Sequence, residues 1–402
     1  MNKKIIYILS HPIQYYSPLF KEMTRQGLAL EVLYCSDETV NGYRDLQFGV
    51  EVKWDIDLFA DYKFEFVRNN SLTPSIYNGF FGLINLGILK RLRKSEQALI
   101  IIPGWSYFSY ILALIAAKIY GHQVALRTES PLNQELMKSK WKLFFRKYFF
   151  KYGFFKLVDF FLYIGIQNKN FYKYYGVNEK KLLFTPYCVN NDHFASYRIT
   201  NELVRQTILK KLGLQPQLFT IVASGKYIQK KRHLDLLIAF RALNNNHAQL
   251  VLVGDGEKRI LMEQYIKQHG LSNVHLTGFV NQNVIVDYYA VADVFVLCSG
   301  VGETWGLTVN EAMNTAVPAI ISDMSGCCAD LVKENMNGYV FPVGDVHALT
   351  LSLQKIINKT PEERAKMGEL SSTIISQYSF KTVIEGYKNI CNTPQNSDHG
   401  LS

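Results

Sequence analysis

The sequence lacks a cysteine framework. Of its six cysteines, Cys327 and Cys328 are adjacent and Cys35, Cys188, Cys298 and Cys391 are scattered. No Cys-x-x-Cys pair occurs, which argues against a disulfide-stapled fold and a structural zinc site and fits a reducing compartment. Long hydrophobic runs are also missing. The longest, Tyr107 to Ala117, is interrupted by Ser109 and ends at Lys118, short of the ~20 apolar residues a spanning helix needs. The run Ile5–Leu9 is too short for the core of a signal peptide and reads as a first buried strand. Acidic charge is scarce in the first half: residues 1–195 hold 25 Lys and Arg against 16 Asp and Glu, whereas the remainder is nearly balanced at 19 against 18. That asymmetry expects an anionic partner for the first half.

What is present is a repeated alternation of short apolar runs with helical patterns. Lys4–Leu9, Ala29–Tyr34, Ala98–Ile102 and Gln123–Arg127 read as strands, with helices at Pro18–Gln26 and Tyr107–Tyr120. A second alternation has strands at Leu218–Ala223, Gln249–Val253, Val274–Leu276, Val294–Leu297, Ala319–Ile321 and Gly338–Phe341. Such β-α order predicts parallel sheets of Rossmann type. Residues 36–80 are irregular and predict a long loop or inserted hairpin. The boundary is placed near 195–215, giving domains at 1–200 and 201–377. A helix follows over 378–391, then a polar, unstructured tail at 392–402.

Two segments carry chemistry. Ser299 to Met313 follows the strand Val294–Leu297, with Gly302 and Gly306 bracketing a turn into a helical run. Glu303 then sits on a loop at the carboxyl end of a strand, where open α/β sheets bind ligands. Glu311 lies about two turns into the following helix, whose amino terminus is a natural seat for phosphate. The other segment, Gly225-Lys226-Tyr227-Ile228-Gln229-Lys230-Lys231-Arg232-His233, follows the strand Leu218–Ala223 and opens a helix at Leu234. Lysines there could stabilise the charge that grows on a departing diphosphate. A solvated carboxylate pair and a solvated basic loop are the plainer alternatives.

Glu303 and Glu311, with Gly306-Leu307 between them and Ala312-Met313 after, resemble the E-x7-E motif of retaining glycosyltransferase family 4. Gly225-Lys226…Lys231 is similar to that family's Gly-Arg/Lys…Lys element, with Lys230 or Arg232 as other registers for the second position. The resemblance covers nearly the whole chain and is strongest over residues 219–345. It implies the GT-B architecture: two Rossmann-like parallel-sheet domains facing a cleft, with the C-terminal helix crossing back to the first. It further implies that Glu311 binds ribose hydroxyls, that Glu303 binds the donor sugar with the backbone of Trp305, Gly306 and Leu307 beside it, and that Lys226 and Lys231 hold the diphosphate. Neither a metal nor a cofactor is implied beyond the nucleotide-diphosphate sugar as co-substrate.

Further positions are more open. Gly254-Asp255-Gly256 looks like a tight turn. Phe279 and Val280 are either base-pocket or core residues. His11, in Ser10-His11-Pro12-Ile13-Gln14-Tyr15-Tyr16, is either a contact for acceptor or donor phosphates or a packed turn residue. Many relatives carry a histidine near Thr128-Glu129, where this chain has Arg127 and Glu129. Glu129 is the candidate base or acceptor for the incoming hydroxyl, with Arg127, Tyr15 and Tyr16 as acceptor-binding candidates. From Lys138 to Phe161, Trp141, Phe144, Phe145, Tyr148, Phe149 and Tyr152 recur at helical spacing among Lys and Arg. They form either a core stripe or an interfacial helix for an anionic membrane surface; a nucleic-acid footprint is not expected.

The sequence thus points to sugar transfer, with a UDP-sugar favoured, to a hydroxyl of a lipid-linked or oligosaccharide acceptor in surface-polysaccharide synthesis, by a cytoplasmic or peripheral membrane enzyme. A sugar-nucleotide epimerase and a non-catalytic sugar-nucleotide or lipid binder on the same scaffold are the alternatives. Donor base, sugar, acceptor and oligomeric state are not legible.

Overall fold

The computed structural model describes residues 3–40, 43–44, 51–52, 57–59 and 61–392. Part of the irregular segment at 36–80 and all but Asn392 of the expected tail at 392–402 lie outside these residues; Asn392 ends the last helix. In chain order the strands of the first half are β1 (Lys4–Leu9), β2 (Leu30–Tyr34), the antiparallel two-residue pair β3 (Tyr43–Arg44) and β4 (Glu51–Val52), β5 (Lys63–Phe66), β6 (Ala98–Ile102), β7 (Gln123–Leu126), β8 (Phe160–Tyr163) and β9 (Leu182–Phe184). Those of the second are β10 (Phe219–Ser224), β11 (Ala248–Val253), β12 (Val274–Leu276), β13 (Val294–Leu297), β14 (Ala319–Ser322) and β15 (Gly338–Phe341).

Two parallel sheets result, with strand orders 5-2-1-6-7-8-9 and 12-11-10-13-14-15. Their inner strands are buried along their length, as in Ala98–Ile102 and Val294–Leu297, because helices cover both faces. Such strands therefore read as continuous Ile, Val and Leu runs. In each sheet the order reverses direction once, between β1 and β6 and between β10 and β13. The loops after those strands flank a crevice at the carboxyl edge, where ligands bind in open α/β sheets.

Each domain has its own core, and the chain joins the second one early: Val189 and Phe194 pack with Val222, Phe295 and Val309. The last helix, Phe380–Asn392, crosses back. Its Val383, Ile384, Tyr387 and Ile390 are buried with Ile5, Tyr7 and Phe20 of the first domain, as the apolar face at those positions predicts.

Three strands were not anticipated. β5 carries Lys63 and Glu65 at exposed positions, while β8 and β9 are only four and three residues long. Neither pattern separates a strand from a loop by periodicity. The segment 138–161 is not one helix. A helix over Lys140–Tyr148 gives way to a wider turn over Phe149–Gly153 and a tighter one over Phe154–Leu157. The change in pitch rotates the side chains. Phe150, Phe154 and Phe155 enter the core, while Trp141, Phe144, Phe145, Tyr148, Phe149 and Tyr152 are all more than half exposed. A core stripe made of those six residues is therefore excluded.

Candidate functional site

The loop between β13 and the helix Leu307–Asn314 closes the crevice of the second sheet on one side. Gly306 precedes that helix with φ 111°, and a Cβ there would lie 2.7 Å from Leu297 Cδ2, so both the turn and the close packing require glycine. The loop after β10 closes the other side. Gly254, in the loop after β11 and with φ 148°, packs its backbone against the Gly225 carbonyl, which sets that loop against the one after β10.

Glu311 is buried, and the Tyr289 hydroxyl donates to its Oε2 at 2.7 Å, being itself 2.8 Å from Ser224 Oγ. Burial pushes the Glu311 carboxyl up to about 7, against the opposing hydrogen bonds of Tyr289 and Tyr15 and the charge of Lys231. A carboxyl so poised can accept hydroxyl protons when ionised. Glu311 lines a cavity of about 520 Å³ with Tyr15, Gly225, Gly254, Phe279, Val280 and Thr308, among others. Thr308, in the first turn of the helix, has a buried hydroxyl with no hydrogen-bond partner among the described residues. An orphaned hydroxyl beside a helix amino terminus suits an anionic ligand.

Lys231 packs under Gly225 and forms an ion pair with Glu303, both side chains being little exposed. Burial works against ionised Glu303, but the charges of Lys231 and Lys230 and the Lys231 hydrogen bond outweigh it, so its carboxyl stays below the usual value. Burial lowers the Lys230 pKa, and the neighbouring charges of Lys231 and Lys226 act in the same direction. Three lysines thus share one loop.

Next to Glu303 in the chain, Thr304 reaches a larger cavity of about 1140 Å³ whose other lining residues all belong to the first domain. Thr304 and Glu129 both line it, and the Thr304 hydroxyl donates to Glu129 Oε2 at 3.2 Å. Burial raises the Glu129 carboxyl above its ordinary value despite Arg127. The first domain grips this loop through Gln134. Its Nε2 donates to the carbonyls of Glu303 (3.0 Å) and Met324 (2.9 Å), and its Oε1 accepts from the Gly302 N–H at 3.0 Å.

Glu303, Glu311, Lys226, Lys231, Gly225, Phe279, Val280 and Glu129 therefore converge. Several other candidates do not. Arg127 is buried, with Nη1 donating to the Tyr16 hydroxyl at 2.6 Å and its guanidinium 4.8 Å from the Tyr187 ring. It braces the domain junction rather than facing an acceptor. Tyr16 lines the large cavity but is tied to Arg127, and Tyr15 lies on the Glu311 side. His11 sits beside Ser10 and Glu38, lining neither cavity, and burial holds its imidazole down to about 4. The Trp305 ring packs between Tyr378 and Tyr187, its N–H donating to Asn310 Oδ1 at 2.9 Å; Leu307 packs into the second core. Only the backbone of Trp305-Gly306-Leu307 is left to the site. Gln134, Thr308 and Tyr289 escaped sequence reasoning, because nothing local distinguishes them from ordinary helix residues. Among the described residues no group of three or more His, Cys, Asp or Glu is placed to hold a metal ion.

Residues 204–372 match the family model described as glycosyl transferases group 1. An uncharacterized glycosyltransferase of Methanocaldococcus jannaschii is 31% identical over 136 residues, 33% of this chain and 34% of that protein. The alpha-monoglucosyldiacylglycerol synthase of Acholeplasma laidlawii is 29% identical over 159 residues, 39% of each. The chain thus aligns with about a third to two-fifths of these relatives' lengths. Over whole chains, the fold resembles that of a glycosyltransferase from Rickettsia africae (TM-score 0.74, 15% identity, 98% of this chain and 100% of that one). It also resembles Anabaena HepE in complex with UDP and glucose (TM-score 0.71, 15% identity, 98% and 100%). The sheets, the crevice loops and the matched segment agree: residues 204–372 belong to glycosyl transferases group 1, set in a chain of GT-B fold.

Proposed function

We propose that this protein is a retaining glycosyltransferase. It moves a hexose-type sugar from a nucleoside-diphosphate donor, UDP-sugar favoured, to a hydroxyl of a lipid-linked or oligosaccharide acceptor of surface-polysaccharide or glycolipid synthesis. The observation that carries this reading is the buried Lys231–Glu303 pair set between two cavities: Glu311 and Thr308 line one beside Gly225, under which Lys231 packs, and Glu129 and Thr304, the residue after Glu303, line the other.

In this reading Glu311 accepts hydrogen bonds from the ribose hydroxyls, and Phe279 and Val280 lie against the base. Lys226, Lys231, the Thr308 hydroxyl and the helix amino terminus hold the diphosphate. Glu303, kept ionised by Lys231, accepts from donor-sugar hydroxyls. The bond from the anomeric carbon to the β-phosphate oxygen breaks, and the electron pair leaves with the diphosphate. Fixed cations stabilise that charge most in the transition state. The acceptor oxygen then bonds the same carbon from the same face, and its proton passes to a phosphate oxygen. Glu129, linked to Thr304, orients the acceptor hydroxyl. An epimerase would need no second cavity, so the space across Thr304 favours transfer. Two comparisons support the donor and acceptor classes: the HepE neighbour was solved with UDP and glucose, and a relative is named as a glucosyldiacylglycerol synthase.

The test is a panel of UDP-, GDP- and ADP-sugars incubated with the purified chain, with and without Glu311→Ala, followed by nucleotide release and thermal-shift binding. Release or binding with one donor, lost in the variant, supports the assignment. Silence in both readouts across the panel overturns it.

A further inference from the structure

Six aromatic rings lie on the outside of the first domain with no core to fill. Trp141, Phe144, Phe145 and Tyr148 follow the i, i+3, i+4, i+7 spacing of a single helical face, and each is more than half exposed, Phe145 at 63%. Phe149 and Tyr152 extend the face past the end of the helix, and Leu136 and Met137 adjoin it before the start. The inner side of the same helix is anchored. Arg146 Nε donates to Glu135 Oε1 at 2.5 Å, and the Arg146 guanidinium lies 4.8 Å from the Phe150 ring. The aromatic face is therefore held outward by a fixed inner side. Contiguous exposed apolar surface of this kind marks a docking site.

The charge around it is of one sign. Residues 136–158 contain seven Lys or Arg and no Asp or Glu. Lys138, Lys140, Lys142, Lys147, Lys151 and Lys156 are exposed between and beside the rings. A second copy of the chain would set two such positive faces against each other, which is repulsive. An anionic lipid surface complements both features, since aromatic rings settle at the headgroup level and lysines meet the lipid charge. Among the described residues no helix is long and apolar enough to cross a membrane; this one is nine residues long and suited to lie in the interface plane.

The position of the face gives it a role. Glu135, Lys138 and Arg146, at its root, also line the large cavity beside Glu129 and Thr304. We infer that the aromatic and lysine face over residues 136–157 seats the protein on an anionic membrane, with the mouth of the larger cavity turned toward the lipid surface. Resting on the transfer reading above, this makes the acceptor a membrane-anchored glycolipid that enters the cleft from the bilayer side.

The experiment is co-sedimentation of the full chain with phosphatidylcholine vesicles containing 30 mol% phosphatidylglycerol, and with phosphatidylcholine alone. The variants are Trp141→Ser/Phe144→Ser/Phe145→Ser and Lys140→Glu/Lys142→Glu/Lys147→Glu. The wild type is expected to pellet with the anionic vesicles, and each triple variant to bind about tenfold or more weakly at an unchanged melting temperature. UDP-sugar thermal shift on the same samples reads the donor site separately, so loss of one reading does not carry the other with it. Absence of sedimentation overturns the proposal, as does sedimentation that both variants retain. A dimer in light scattering that the aromatic variant converts to monomer also overturns it, assigning the face to a second copy.

Discussion

Gln134 of the first domain holds the backbone on both sides of Glu303 in the second: its carboxamide accepts from the Gly302 N–H and donates to the Glu303 carbonyl. One side chain thus couples the spacing of the two domains to the position of the carboxylate between the two cavities. A loop fixed this way is oriented before any ligand arrives, which is where positioning contributes to rate.

Gln134→Ala removes three interdomain hydrogen bonds, each contributing about 1 kcal/mol, without opening a core. Turnover is expected to fall roughly tenfold or more while the melting temperature moves by only a few degrees. Steady-state kinetics beside a thermal melt checks this, and wild-type turnover would show that the loop holds its place without the clamp.

The Lys231–Glu303 pair makes a stability prediction with a pH signature. Lys231→Ala leaves a buried carboxylate short of its main partner and is expected to cost about 3 kcal/mol. Lys231→Ala/Glu303→Gln should recover most of that stability and none of the activity. Because the folded Glu303 pKa lies below the unfolded one, the wild-type contribution is present above the unfolded carboxylate value and is lost as pH falls through the folded value. Urea melts of the wild type and both variants at pH 7 and pH 4 read both effects.

Glu311 has the opposite shift. Its folded carboxyl is raised to about 7, so the free protein protonates it as pH drops below neutrality, and the hydroxyl acceptor proposed for the donor's ribose is lost. Donor affinity is expected to decline below about pH 7. The Tyr289 hydrogen bond lowers the Glu311 pKa, so Tyr289→Phe should move the midpoint of that decline upward. Calorimetric titration with a UDP-sugar across pH 5.5–8.5 would reveal it, and identical profiles for the two proteins would remove Glu311 from the binding step.

Thr308→Val replaces an unpartnered buried hydroxyl by a methyl of similar shape. The free protein should be as stable as the wild type or slightly more so, because no hydrogen bond is broken. Donor affinity should fall about tenfold, the loss of one hydrogen bond to a charged group. A variant that binds donor as tightly as the wild type places the diphosphate elsewhere.

The two-sheet architecture was legible because strands buried on both faces tend to be apolar along their length: β6 and β13 are, and β1 and β11 depart from it only at Lys4 and Gln249. β5, β8 and β9 were not, since an exposed edge strand or a three-residue strand leaves no run to read. The grouping of carboxylates and lysines at the candidate site was legible for a related reason. Glu303, Glu311, Lys226 and Lys231 come from two short segments that each follow a strand, so their neighbourhood is nearly local. Arg127 and Tyr15 were assigned to the wrong surroundings because both lie where the domains meet, and sequence order carries no information about which face of a loop that junction covers.

The sequence by itself determined the alternation that builds two parallel sheets, the glycines that shape the crevice loops, and the carboxylates and lysines those loops present. Tertiary structure alone decided that Gln134 clamps Glu303, that Tyr289 holds Glu311, that Arg127 is buried, and that the aromatics of 141–152 face outward. Each of these depends on partners more than ten residues away or on a change of helical pitch. Local pattern fixes what a residue is able to do, whereas packing fixes what it meets.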